Sequence, residues 1–90
     1  MITQENILSH EIIGLYATVE RCSDIYLTNL SGKIIMETKN IISIETSKGI
    51  KHVSKTAAKK IRLDLKSGCS CSISGSLLIG RPEDRISRQH

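Results

Sequence analysis

Few of the residues in this chain that could do chemistry stand where chemistry would need them. His10 and Glu11 adjoin, as in a zinc-protease helix, but that motif needs a second histidine four residues after the first, and position 14 is Gly14. A solvated or capping pair is the better reading. The carboxylates are scattered, and only Glu83 and Asp84 are adjacent; neighbouring residues on a helix do not face each other, so they make a poor metal or acid–base pair. Cys69 and Cys71 are separated by one residue, with Cys22 far off and histidines at 10, 52 and 90, which is not zinc-ligand spacing. On a strand the two close cysteines would share a face as small buried apolar groups. No nucleophile elbow, reactive-cysteine signature or phosphate-binding glycine loop occurs. The chain is therefore expected to have no catalytic residue, no metal site and no bound cofactor.

What the sequence does concentrate is positive charge. The net charge of +4 conceals a division: residues 1–45 carry three bases and six acids, residues 46–90 ten bases and three acids. Between Lys48 and Arg62 lie six bases (Lys48, Lys51, Lys55, Lys59, Lys60, Arg62) and no acid. A solvated face is one account of such a run; a surface attracting phosphates independently of sequence is the other. With no Phe or Trp and only Tyr16 and Tyr26, base stacking on aromatic platforms is not expected. The odd cysteine count and the lack of a signal-peptide pattern point to a reducing compartment, the cytoplasm. No apolar run approaches the roughly 20 residues of a membrane helix.

The elements that must position these charges follow from periodicity. Ninety residues make one domain, 1–90, with one modest aliphatic core. Thr3 to Ile13 has apolar residues at helical spacing before Gly14, and Pro82 with Glu83 and Asp84 suits the start of a second helix over 82–90. From Leu15 the period becomes two: Leu15, Ala17 and Val19; Leu30, Gly32, Ile34 and Met36; Ile42 and Ile44; Ile50 and Val53, one step out of phase; Ile61, Leu63 and Leu65; Cys69, Cys71 and Ile73. Turn signals separate these runs at 38–40, 47–49, 66–68 and 74–75. Five to seven short antiparallel strands closing into one small barrel are expected, with Ala17, Val19, Ile34, Ile44, Ile61, Leu63 and Ile73 inside.

Four blocks occur in order: His10-Glu11-Ile12-Ile13-Gly14-Leu15, then Gly32 to Asn40 (GKIIMETKN), then Val53-Ser54-Lys55, then Gly75 to Arg85 (GSLLIGRPEDR). Together they resemble the archaeal ribonuclease P protein component 1 family, from about Asn6 to Arg88. The resemblance implies an Sm-like barrel with short N- and C-terminal helices. It implies an accessory subunit of the ribonucleoprotein that removes the 5′ leader from precursor tRNA, in which the RNA holds the active site and Mg2+. Implied partners are the ribonuclease P RNA, a zinc-ribbon protein subunit and other ribonuclease P proteins.

Combined with the charge pattern, this assigns RNA contact to Lys33, Lys39, Lys51, Lys55, Lys59, Lys60, Arg62 and Arg81. The zinc-ribbon subunit is assigned to the two chain ends, through Ile7, Leu8, Ile12, Arg85 and Ile86. Three positions depart from the family pattern. Asn29 replaces a glycine in the bend before Gly32, Ser54 a proline, and Ile41 a threonine; asparagine is the side chain best able to take glycine's left-handed conformation. The competing readings are a protein-binding adaptor with incidental basicity and a homo-oligomeric Sm-like RNA-binding ring.

Overall fold

The computed structural model describes residues 12–65 and 68–80. Six antiparallel strands form one sheet: β1 (Tyr16–Cys22), β2 (Ser31–Glu37), β3 (Ile41–Thr46), β4 (Gly49–Ser54), β5 (Ala58–Asp64) and β6 (Ser70–Ile73). Their spatial order is β4-β3-β2-β1-β5-β6. The strand number and antiparallel pairing are as the period-two runs predict. The closed barrel is not: β4 and β6 are the two edges of the ladder. Among the described residues, helix is confined to 3-10 turns at Ile25–Leu27 and Gly75–Leu78. The expected helices over 3–13 and 82–90 lie outside the described residues, except for Ile12 and Ile13. These two enter a turn in which Leu15 N–H donates to the Ile12 carbonyl at 3.1 Å.

The turns form where polar and glycine-rich stretches interrupt the strands. β3 and β4 are joined by Ser47 and Lys48, with Thr46 opposite Gly49; the Thr46 hydroxyl donates to the Gly49 carbonyl (2.7 Å) and accepts from Lys48 N–H (3.2 Å). Between β1 and β2, Asn29 has φ 69°, the left-handed conformation its side chain tolerates, and its N–H donates to the Val19 carbonyl at 2.6 Å.

One aliphatic core lies against the sheet. Ala17, Val19, Ile34, Ile44, Ile61 and Leu63 are buried in it as the alternation requires. Ile73, also expected inside, is only partly buried, because β6 is an edge strand with a neighbour on one side. Cys71 is buried, but Cys69 precedes β6 and is exposed, so the pair does not share a buried face. Ile12 is fully buried in this same core. That removes it from the proposed partner contacts: its side chain is already covered by its own domain.

The strict alternation fails in β2. Ile34 pairs with Ile44, yet Met36 pairs with Ser43, so Ile35 is an extra residue on the β2 side. A bulge of this kind reverses the facing of all that follows. Met36, which unbroken alternation would put on the same face as Ile34, is 57% exposed, and Glu37 turns inward instead.

The inward carboxylate has a partner. Lys55, in the β4–β5 turn, is completely buried, and its Nζ donates to Glu37 Oε2 (2.7 Å), the Thr38 carbonyl (2.7 Å) and the Gly80 carbonyl (3.0 Å). Three ammonium protons thus meet three oxygens, the condition for a cation to lie out of water. The assignment of Lys55 to RNA contact is therefore corrected: an ammonium with no exposed surface cannot reach a phosphate. Glycine makes the arrangement possible from the other side. A Cβ on Gly75 would run into the Lys55 and Ala58 carbonyl oxygens, so only glycine lets the second 3-10 turn lie flat on the β4–β5 turn. Five residues on, Gly80 takes φ 117° and its N–H donates to the Lys39 carbonyl at 2.8 Å.

Removing either charge strands the other in the core. Lys55→Met or Glu37→Met is expected to destabilise the fold by about 3–5 kcal/mol, whereas the double change to methionine costs much less than the two singles added. Urea midpoints of the four proteins check this, with Leu63→Ala (about 2–5 kcal/mol lost) as a reference for ordinary core truncation. A single Lys55→Met variant as stable as the parent would show the pair is dispensable.

Candidate RNA interface

With Lys55 inside, the remaining basic side chains must be located one by one. Lys33, Lys39, Lys48, Lys51, Lys59, Lys60 and Arg62 are all exposed. They do not form one patch. Lys59 and Lys60 open β5, where Lys60 lies opposite Arg21 of β1, itself exposed. Lys59 Nζ donates to the Thr56 carbonyl at 3.1 Å, which holds it over the β4–β5 turn. Arg21 carries no signal of its own in the sequence, where it stands alone in the acidic half; only the antiparallel partnership brings it to Lys60.

Arg62, one step along the outer face from Lys60, is less free. Its Nη2 donates to Thr18 Oγ1 at 3.4 Å and its Nε lies 3.7 Å from Asp64 Oδ1, with both side chains nearly half exposed. Such a solvated pair is weak, but it reduces the local positive field. Nearby, Ser72 Oγ donates to Glu20 Oε1 at 3.0 Å, so another carboxylate shares this face. Lys33 is opposite Glu45 of β3. The run without acids in sequence is therefore not without acids in space around Arg62, and Lys33, outside that run, also has a carboxylate opposite.

Lys48 and Lys51 lie apart from these, at the β3–β4 hairpin. They border a groove of about 400 Å³ whose opposite wall is the β1–β2 connection, with Tyr26 on that wall. Lys39 stands in the β2–β3 loop, where its carbonyl receives the Gly80 N–H. Arg81, assigned to RNA, and Ile7, Leu8, Arg85 and Ile86, assigned to a protein partner, lie outside the described residues. Among the described residues no three His, Cys, Asp or Glu side chains come together as a metal site, and no helix is long and apolar enough to cross a membrane. His52 Nδ1 and Ser43 Oγ are 2.8 Å apart across the β3–β4 ladder, a hydrogen bond between two residues paired in register.

Comparison with known proteins gives a consistent result. The family model described as ribonuclease P/MRP, subunit p29, matches residues 5–88. The chain is 37% identical to ribonuclease P protein component 1 of Methanocaldococcus jannaschii, covering 99% of this chain and 93% of that protein. It is 36% identical to the protein of the same name from Nitrosopumilus maritimus, over 96% of each. Among solved structures, Mth11, described as a homologue of human RNase P protein Rpp29, superposes with a TM-score of 0.62 at 33% identity, covering 86% of this chain and 99% of that one.

If the Arg21, Lys59 and Lys60 group meets phosphates, Lys59→Ala with Lys60→Ala should weaken binding to many RNAs alike. It should also lower the slope of log affinity against log salt by about 0.7–0.9 for each phosphate no longer neutralised. Fluorescence titration at several salt concentrations measures both quantities. An unchanged slope would remove these lysines from the interface.

Proposed function

The chain belongs to the ribonuclease P/MRP subunit p29 family, and from that premise we propose that it is a non-catalytic, RNA-binding subunit of ribonuclease P, the enzyme that removes the 5′ leader from precursor tRNA. The observation that carries this is the family match over residues 5–88 together with exposed basic side chains on several strands and loops. Lysines and two arginines spread over the sheet and its loops suit contacts to phosphates and sugars, which set position and orientation without reading sequence. In this reading the RNA supplies the active site and holds Mg2+; this chain binds no cofactor and contributes no reacting group. It works in the cytoplasm beside the ribonuclease P RNA and other ribonuclease P proteins.

Pairing with a zinc-ribbon subunit is part of the same proposal. It is supported by the resemblance of the chain ends, and its contacts are Ile7, Leu8, Arg85 and Ile86, with Ile12 now assigned to the core. Two alternatives have different signatures. A homo-oligomeric ring would sediment well above the mass of one 10.0 kDa chain, and a protein adaptor with incidental charge would not lose its partners steeply as salt rises.

Purification without nuclease, followed by sequencing of the bound RNA, tests the main reading: ribonuclease P RNA is expected to dominate. Recovery of random RNA fragments, or of none, would count against it. For the pairing, Leu8→Glu should abolish capture of a purified zinc-ribbon subunit while leaving the melting temperature unchanged. Undiminished capture would move the contact elsewhere.

A further inference from the structure

We infer that the groove between the β1–β2 connection and the β3–β4 hairpin binds one nucleotide of single-stranded RNA, its base stacked on Tyr26 and its phosphate held by Lys48 and Lys51. The inference rests on the RNA-binding reading above and adds a site and a ligand class to it.

The groove's volume, about 400 Å³, falls within the roughly 300–1,000 Å³ usual for small-ligand sites. Its lining contains two lysines and no carboxylate, unlike the surroundings of Arg62 and Lys33. Tyr26 is 88% exposed, so its ring contributes little to the core. A solvent-facing aromatic beside two ammonium groups has the components of a stacking platform with a phosphate clamp. The general scarcity of aromatics argues against a row of stacked bases; it does not argue against one.

Both walls are held in place before any ligand arrives. On one side Tyr26 N–H donates to Asp24 Oδ1 at 2.9 Å, and the Asn29 N–H is tied to Val19. On the other, the two-residue hairpin turn is closed by the Thr46 hydroxyl. Little backbone ordering remains to oppose binding. Thr28, Asn29 and Ser47, which also line the groove, offer hydroxyl and amide groups to the sugar and base edge. A duplex would not serve as ligand, because its bases are already stacked and paired.

The test uses the full chain, with a short fluorescent single-stranded RNA and an RNA duplex as probes. Tyr26→Ala is expected to lower affinity for the single strand at least about fivefold, with no change in salt slope and no change toward the duplex. Tyr26→Phe should keep most of the affinity, and Ile25→Ala, at an exposed neighbour outside the groove, should keep all of it. Lys48→Ala with Lys51→Ala should instead reduce the salt slope by about 0.7 per phosphate. As an independent readout, the single strand should shift the Thr28, Asn29 and Ser47 amide resonances.

Equal binding of the single strand by Tyr26→Ala and the parent would overturn the site, as would an equal loss toward both probes. In either case the subunit reading survives if ribonuclease P RNA still co-purifies with the parent in a salt-sensitive way. Failure of the parent to bind any RNA would end both.

Discussion

The Lys55 ammonium is the point at which the separate parts of this fold are joined. It sits in the turn between β4 and β5 and reaches the end of β2 through Glu37 and Thr38, and the segment after β6 through Gly80. These hydrogen bonds span 18, 17 and 25 residues of sequence. Because the strand ladder leaves β4 and β6 unjoined, side-chain and loop contacts must hold the last part of the chain to the earlier strands. The Lys55–Gly80 hydrogen bond does part of this, and the Gly80–Lys39 hydrogen bond, the close approach of Gly75 to the turn and the buried Leu78 side chain contribute as well. Burying two charges is expensive, and the cost is offset only when geometry is good and every proton is matched. Here the distances of 2.7–3.0 Å meet that condition. The consequence is specificity of arrangement: a shift of β2 or of the β4–β5 turn would leave a charge in the core without its partner, and a shift of the Gly80 segment would leave an ammonium proton without its acceptor.

Much of the fold was legible because period-two alternation is a direct effect of pleated geometry, which places successive side chains on opposite faces. Ala17, Val19, Ile61 and Leu63 are where that rule puts them. Asn29 was legible for a different reason, since few side chains tolerate a positive φ and a bend was needed there. The errors at Met36 and Lys55 share one cause. Alternation is a local rule, whereas the bulge at Ile35 is set by how β2 must curve against β3. No residue near 35 announces the extra position; Met36 looks as apolar as Ile34. Once the phase reverses, Glu37 faces inward, and a lysine 18 residues away becomes its counter-ion. Read alone, a lysine in an acid-free basic run has every mark of a solvated charge. Only the three-dimensional partner makes it structural.

The candidate interface shows the same separation between sequence neighbourhood and spatial neighbourhood. Six bases within fifteen positions suggest a single patch, but a chain that turns back on itself redistributes them. Lys55 goes inside, Lys59 and Lys60 join Arg21 across the β1–β5 ladder, Arg62 falls beside Asp64, and Lys48 and Lys51 move to the hairpin. Arg21, from the acidic half of the sequence, becomes part of the basic surface. Summed charge by segment is therefore a poor guide to which basic side chains lie together on the surface.

On the proposed RNA-binding reading, separated basic sites also fit the task better than one dense patch. A single cluster binds phosphates anywhere and permits an RNA to rotate about it, because each contact is a point charge with little directional demand. Contacts at several distinct positions on a rigid body fix orientation as well as proximity, since an RNA must present phosphates at matching spacings to satisfy all of them. Rigidity is then the property on which the interface depends. The Lys55 pair supplies it where the ladder is open, so a lysine buried away from solvent governs how firmly the exposed basic side chains keep their spacing.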